Sequence, residues 1–292
     1  MKNNVLKIRA TSDFAGKDPA YMIPKQMMIR YTLDGQIGEI TVKENSDVVL
    51  PPHYWQPAAW MPELSSSKKT VNMLAWDNGQ YVLRTSQGAE KTIAIDSLPK
   101  AIVLDQPWTV EFTPGWNAPA KIQLPTLISW TKLTDEGIRY YSGTATYRTK
   151  VNLPSDFVKS ADRIRLDLGE VCIMAEVIVN GHNLGVLWCD PYRVDITDAA
   201  KAGDNTLQIR VTNLWVNRLI GDEQYPDDCQ WNGKPLKDWP DWFVKGTPRP
   251  VKQRLTFTTW KHWTKNDPLL PSGLLGPVYI RAGQQKNIDP AK

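Results

Sequence analysis

The sequence predicts an all-β chain in two parts, a smaller β-domain over residues 1–104 and a β-sandwich over 105–283, followed by a tail at 284–292. Apolar residues recur at every second position in short runs, and Gly, Pro, Asn and Asp separate the runs. No long segment holds an apolar stripe at the helical period, so strands are expected throughout. A length of 292 residues exceeds what one small sandwich needs and suggests two domains. With 41% hydrophobic and 23% charged residues, the composition is that of a globular chain able to bury a proper core.

In the first part, Met27 to Thr32 and Ile37 to Val42 flank Asp34-Gly35, a pair suited to a tight hairpin turn. Gln80 to Thr85 faces Lys91 to Ile95 across Ser86-Gln87-Gly88 in the same manner. Between these pairs runs a Pro- and Ser-rich stretch with Tyr54, Trp55 and Trp60, which reads as an irregular surface loop with aromatic anchors. The domain boundary is expected between Ser97 and Gln106, with Trp108 opening the next strand set. There the alternation is cleaner. Ala145, Tyr147, Thr149 and Val151 share one face of a half-buried strand against Thr146, Arg148 and Lys150. Ile164, Leu166 and Leu168 alternate with charged residues, and Ala175, Val177 and Val179 lead into Asn180-Gly181, another tight-turn pair. A return arm over 183–188, a segment over 192–196, a turn over 197–201 and a strand through Leu207, Ile209 and Val211 complete a Greek-key pattern.

Charge and composition exclude several functions. The 35 basic and 31 acidic residues are spread along the chain without the basic stripe that neutralises phosphates, so nucleic acid is not an expected partner. Cys172, Cys189 and Cys229 form an odd set without CxxC spacing, and His53, His182 and His262 are scattered, so neither a disulfide framework nor a metal cluster is indicated. The opening residues lack the apolar run of a signal peptide, and no run approaches a membrane span, so a soluble chain is expected with no membrane partner. The aromatic set, 13 Trp and 10 Tyr against 5 Phe, favours rings with a polar handle, which suit half-wet surfaces. Such rings cover the apolar C–H faces of pyranosides in sugar-binding sites, although about two in three of these Trp are expected in the core, where the residue is usually well buried.

Several ordered blocks carry a resemblance. YYSGTATYR at 140–148, LDLGEV at 166–171, AEVIVNGHNLGVLW at 175–188, PYRVDIT at 191–197 and AGDNTLQIRVTNLWVNRLIGDE at 202–223 resemble the sugar-binding, galactose-binding-like jelly roll of family 2 glycoside hydrolases. Closer still is the similarity to the C-terminal region of family 106 α-L-rhamnosidases, which also end in a pattern like PSGLLGPVYI at 271–280. The resemblance covers Pro107 to Ala282, and DNGQYVL at 77–83 looks like the strand pair that precedes the module in that family. It implies a jelly-roll sandwich that contacts oligosaccharide or polysaccharide glycans, in a protein type that is usually exported. The chemistry of that family is assigned to an upstream (β/α) barrel, for which this chain has no alternating strand and helix pattern. Fold similarity alone transfers no activity.

A glycosidase needs two carboxyl groups about 5 to 9.5 Å apart across the scissile bond. Glu170 on the LGEV turn and Asp222 and Glu223 in NRLIGDEQ are the candidates, expected to approach one another at the sandwich rim, and the resemblance also suggests Asp222 for sugar contact. The structural alternative pairs Asp222 and Glu223 with Arg218. Trp188, Tyr192 and Trp215 at strand ends either line a ligand cleft or cap the core, and Asn217 and Arg218 either donate to sugar hydroxyls or anchor a loop. Trp231, Trp239, Asp241 and Trp242 belong to a long insertion, read as an aromatic flap or as a packing face for an upstream catalytic domain. No cofactor is indicated, though a structural calcium ion on loop carbonyls and carboxylates is compatible with a sandwich of this kind. Three functions follow: an accessory glycan-binding sandwich, the favoured one, a self-contained hydrolase, or a scaffold domain.

Overall fold

The computed structural model describes residues 6–9, 11, 26–33, 36–43, 47–50, 60–66, 70–86 and 88–288. The Asp34-Gly35 turn, the Tyr54-Trp55 loop, Gln87 and His53 lie outside the described residues. Backbone contacts divide the chain into two compact units, Met1–Ala59 and Trp60–Lys292.

In the first unit, β1 (Leu6–Arg9) pairs antiparallel with β4 (Asp47–Leu50), and β2 (Gln26–Leu33) with β3 (Gln36–Lys43). The expected hairpin is present, in a register that sets Leu33 opposite Gln36.

The second unit begins with β5 (Glu63–Ser66), β6 (Val71–Ala75), β7 (Gly79–Arg84), β8 (Glu90–Ile95) and β9 (Ile102–Val103). It continues with β10 (Trp108–Phe112), β11 (Lys121–Leu124), the short helix α1 (Glu136–Arg139), β12 (Thr144–Leu153), the short helix α2 (Ser155–Lys159), β13 (Arg163–Asp167), β14 (Glu170–Cys172) and β15 (Met174–Val179). Then come β16 (His182–Leu187), β17 (Arg193–Asp195), β18 (Gly203–Thr212), β19 (Gly273–Gly276) and β20 (Tyr279–Ile288). One sheet has the order β11-β10-β12-β18-β15-β16, the other β17-β13-β20-β6-β5 with β9 also on β20. Apolar side chains on alternate positions of the two sheets, among them Val110, Tyr147, Val177 and Ile209 from one and Ile164, Leu166 and Ile280 from the other, join a single buried core. The fold is an all-β sandwich.

Two boundaries differ from expectation. Residues 60–103 belong with the sandwich, and the supposed tail from 284 is the second half of β20, where Gln284 to Ile288 pair with Ala75 to Val71. The half-strand Gly283-Gln-Gln-Lys-Asn287 is polar and therefore reads as a tail, but ladder hydrogen bonds need only backbone groups. Rings and guanidinium groups pin this added layer: Arg193 lies 3.9 Å and Arg281 5.0 Å from the Trp60 ring centre, and Arg165 lies 4.6 Å from that of Trp76. The Trp76 indole N–H donates to Glu63, which also accepts two bonds from Arg165.

The core is aromatic on one side. The buried Tyr147 hydroxyl accepts from the Trp130 indole at 2.6 Å and from the Leu274 backbone N–H at 3.1 Å, so two polar ring atoms are satisfied without water. At Gly273, which has a φ of +101°, a Cβ would fall 2.6 Å from both the Trp130 Nε1 and the Tyr147 hydroxyl oxygen, so only glycine fits. Asn180 and Gly181 have φ of 50° and 85°, the left-handed pair of the expected tight turn between β15 and β16. Fewer Trp are buried than expected: of those described, only Trp76, Trp108 and Trp130 are fully enclosed.

Candidate functional site

Trp188 and Trp215 follow the last residues of β16 and β18, two strands that flank β15. Met174, the first residue of β15, pairs with Thr212, and Ala175 with Leu187, so both Trp leave the sheet at the same end. Trp188 is 71% and Trp215 59% exposed. Ile173, Met174 and Leu214 are also exposed there, and Trp215 meets Trp116 edge-on at 5.5 Å. Among the described residues, an apolar, ring-bearing end is thus left uncovered. Tyr192 behaves differently: it is buried, and its hydroxyl donates to the Ile173 carbonyl at 2.7 Å, so it caps the core rather than presenting a ring.

Glu170, on β14, is half-buried, and burial together with the charge of Asp190 raises its carboxyl above the ordinary range. Burial, with Glu170 beside it, pushes the Cys172 thiol up to about 12. All three cysteines are free.

The other candidates lie in a lobe between β18 and β19, where α3 (Val216–Asp222) leads into irregular chain interrupted by a one-turn helix α4 (Asp241–Val244). Asn217 is buried; its amide donates to the Leu270 carbonyl at 2.7 Å and to the Ser272 hydroxyl at 2.8 Å, and its oxygen accepts from the Leu270 N–H at 2.8 Å. The Arg218 guanidinium lies 3.0 Å from Asp222, with both side chains under 5% exposed. Asp222 also accepts from the Leu255 and Thr256 N–H groups and from the Thr256 hydroxyl, at 2.6 to 3.1 Å. These three buried residues hold the lobe together through bonds to the chain's own groups, and Asp222 also forms part of a cleft wall.

Glu223 pairs with Arg254 at 3.0 Å and with Lys261 at 3.4 Å rather than with Arg218. Arg254 further donates to the carbonyls of Pro226 and Tyr225 and to Asp227. Arg249 holds Asp228 through two nitrogens and stacks 5.0 Å from the Trp242 ring centre. Burial raises the Asp228 carboxyl, but the hydrogen bond and charge of Arg249 outweigh it, so the group sits below its ordinary range. Desolvation lowers the Lys261 ammonium, yet Asp227 and Glu223 together hold it above its ordinary value.

None of the three candidate acids stands clear of a charged or enclosing neighbour. Glu170 has Asp190 as its neighbouring acid, Asp222 is enclosed, and Glu223 is ion-paired. Nor do the lobe carboxylates fit a calcium ion, because Asp222, Glu223, Asp227 and Asp228 each already face a guanidinium or ammonium group. Among the described residues no group of three or more His, Cys, Asp or Glu is placed to hold a metal.

A cleft of about 30 Å³ opens in this lobe, with Glu223, Trp231, Arg254, Phe257, Trp260 and Lys261 among its walls. Behind Phe257 stand Phe243 at 4.8 Å, Trp242 at 5.6 Å and Trp239 at 5.9 Å between ring centres, an aromatic cluster whose outer rings, Trp239 and Phe243, are about half exposed. Sequence reasoning flagged the Trp-rich stretch but missed Arg249, Arg254, Trp260 and Lys261, which carry no periodic signal in an irregular segment.

Comparison with known proteins agrees with this architecture. The family model described as "Glycosyl hydrolase 2 galactose-binding domain-like" matches residues 130–252. A provisionally named beta-glucuronidase from Formosa agariphila is 35% identical over 286 residues, 98% of this chain but 22% of that protein. The solved structure of a rhamnosidase from Novosphingobium sp. PP1Y aligns over 97% of this chain and 25% of its own, with a TM-score of 0.52 and 24% identity. The chain thus contains a galactose-binding-like domain related to those of glycoside hydrolases, and it spans about a quarter or less of the length of these two relatives.

Proposed function

We propose that this chain is a glycan-contacting accessory region of a glycoside hydrolase-like protein of the family 106 α-L-rhamnosidase type, and that it does not itself cleave glycosidic bonds. The exposed ring faces of Trp188 and Trp215 at one end of the sandwich are the observation that carries this reading. Flat indole surfaces cover the C–H faces of sugars, and two of them at a strand-end rim give an extended footing. The second half of the proposal rests on the carboxylates: Asp222, Glu223 and Asp228, the acids that line the lobe cleft, are each ion-paired to Arg218, to Arg254 and Lys261, or to Arg249, so none stands free to exchange a proton or attack at an anomeric carbon.

Calorimetric titration with rhamnose-containing oligosaccharides tests the first half. Weak binding is expected, reduced severalfold by Trp188→Ala and Trp215→Ala, while absence of binding to any plant or microbial glycan would remove it. A panel of aryl glycosides tests the second, and no turnover is expected from the purified chain.

A further inference from the structure

The lobe cleft holds a combination that the strand-end rim lacks. Three acids, Asp222, Glu223 and Asp228, and three bases, Arg249, Arg254 and Lys261, line it, so its charges balance and no cation is left over for an anionic ligand. Its volume of about 30 Å³ is room for roughly two water-sized groups at about 10–15 Å³ each. A whole sugar ring does not fit, but a pair of hydroxyls does. At the mouth, Trp260 is 44% exposed, with His262 beside it at 6.3 Å between ring centres. Both lie one residue from Lys261.

Lys261 is the polar centre of this arrangement. Its ammonium group reaches Asp227 at 2.7 Å and Glu223 at 3.4 Å and lies 5.6 Å from the centre of the Trp231 ring. An ammonium group has three N–H donors, of which these two carboxylates take two. Asp227 is 42% exposed at its side chain and keeps lone pairs on the oxygens already facing Arg254 and Lys261. Lys261 lines the cleft and Asp227 stands beside it, so a donor and an acceptor lie side by side next to the cleft and match a vicinal diol, in which one hydroxyl accepts and its neighbour donates. The Trp260 ring at the rim supplies the apolar surface that the C–H face of the same sugar requires.

We infer that this cleft is a second subsite for a neutral pyranoside, with two adjacent hydroxyls on Lys261 and Asp227 and the ring face against Trp260. The inference rests on the glycan-contacting reading and adds a place and a class of sugar to it. Helix α3 begins directly after Trp215 and carries Leu219, Asp222 and, just beyond its end, Glu223 to the cleft, so its seven residues, about 10 Å at 1.5 Å per residue, separate the two footings. An oligosaccharide rather than a single sugar is the ligand that meets both.

The test follows the Trp indole N–H signals by nuclear magnetic resonance while methyl β-D-glucopyranoside, methyl β-D-galactopyranoside, methyl α-L-rhamnopyranoside or methyl β-D-glucuronide is added to the whole chain. The Trp260 signal, assigned through its loss in Trp260→Ala, is expected to move with at least one neutral glycoside and at least about threefold less with the glucuronide. Trp260→Ala and Lys261→Met are each expected to weaken binding about tenfold, and Lys261→Arg to restore part of it. Should the Trp188 or Trp215 signals move while that of Trp260 stays fixed, the subsite is wrong and the broader reading stands. Movement of the Trp260 signal as large with the glucuronide overturns the neutral-sugar assignment. If no indole signal moves with any of the four, both readings fall.

Discussion

The sandwich and the lobe between β18 and β19 are built on opposite principles. In the sandwich, alternating apolar side chains from two sheets fill one core, and a buried polar group such as the Tyr147 hydroxyl accepts from Trp130 and Leu274 within it. In the lobe, backbone pairing is nearly absent and four basic side chains, Arg218, Arg249, Arg254 and Lys261, bind four acids. Removing apolar area costs transfer and cavity energy throughout a shared core, whereas removing one ion of a network strands its partners locally. The sandwich should therefore fail as a unit and the lobe on its own.

The largest effect expected is that of Trp130→Ala, which vacates the centre of the aromatic core and leaves the Tyr147 hydroxyl only the Leu274 N–H as donor, at about 3–5 kcal/mol. Calorimetric unfolding should show the entire second unit melting earlier. Next is Arg254→Ala: it leaves Glu223 and Asp227 to Lys261 and takes a donor from the Pro226 and Tyr225 carbonyls at a site 7% exposed, a loss of roughly 3 kcal/mol. Hydrogen exchange should then rise across residues 223–263 while the amides of β12 and β18 keep their protection. Equal deprotection of the strands would show that lobe and sandwich form one cooperative unit.

Acid separates the two regions by sign. Asp228 has its carboxyl held below the ordinary value of 3.8, so it stabilises the lobe above that value and the contribution disappears as pH falls through the lower, folded value. Glu170 is raised above 4.5, so its ionised form costs the sandwich stability at neutral pH, and the cost vanishes on protonation. Amide exchange measured between pH 5 and 3 should consequently find the lobe loosening before the strands. Cys229, its thiol pushed up to about 11 by burial and Asp228, offers a second reporter: a thiol reagent should reach exposed Cys189 first and Cys229 only as the lobe opens. The smallest effect belongs to Lys245→Ala, which breaks an exposed pair with Asp241 and should change stability by less than about 0.5 kcal/mol.

The same contrast explains what could be read from the sequence. A strand announces itself because each second residue must be apolar, and Ala175, Val177 and Val179 before Asn180-Gly181 expose both the strand and its turn. The second half of β20 gave no such signal, being polar from Gln284 to Asn287 yet fully laddered. In the lobe, partners such as Asp222 and Thr256 are 34 residues apart and meet through irregular chain, so no spacing rule links them. Asp222 and Glu223 stood out as carboxylates in a loop, but only their surroundings reveal that they are already committed to the chain's own cations and amides. The strand-end Trp188 and Trp215 were legible as candidates because strand ends can be counted, and their exposure distinguishes them from Tyr192, which the same count cannot separate.

The central claim is that this chain contacts glycans without cleaving them, and one sample tests both halves. A saturation-transfer measurement on a panel of 4-nitrophenyl glycosides, including the α-L-rhamnoside, is predicted to show transfer from protein to sugar protons with the glycosides unchanged over hours. Signals of free 4-nitrophenolate, or the absence of transfer to every sugar, would contradict it.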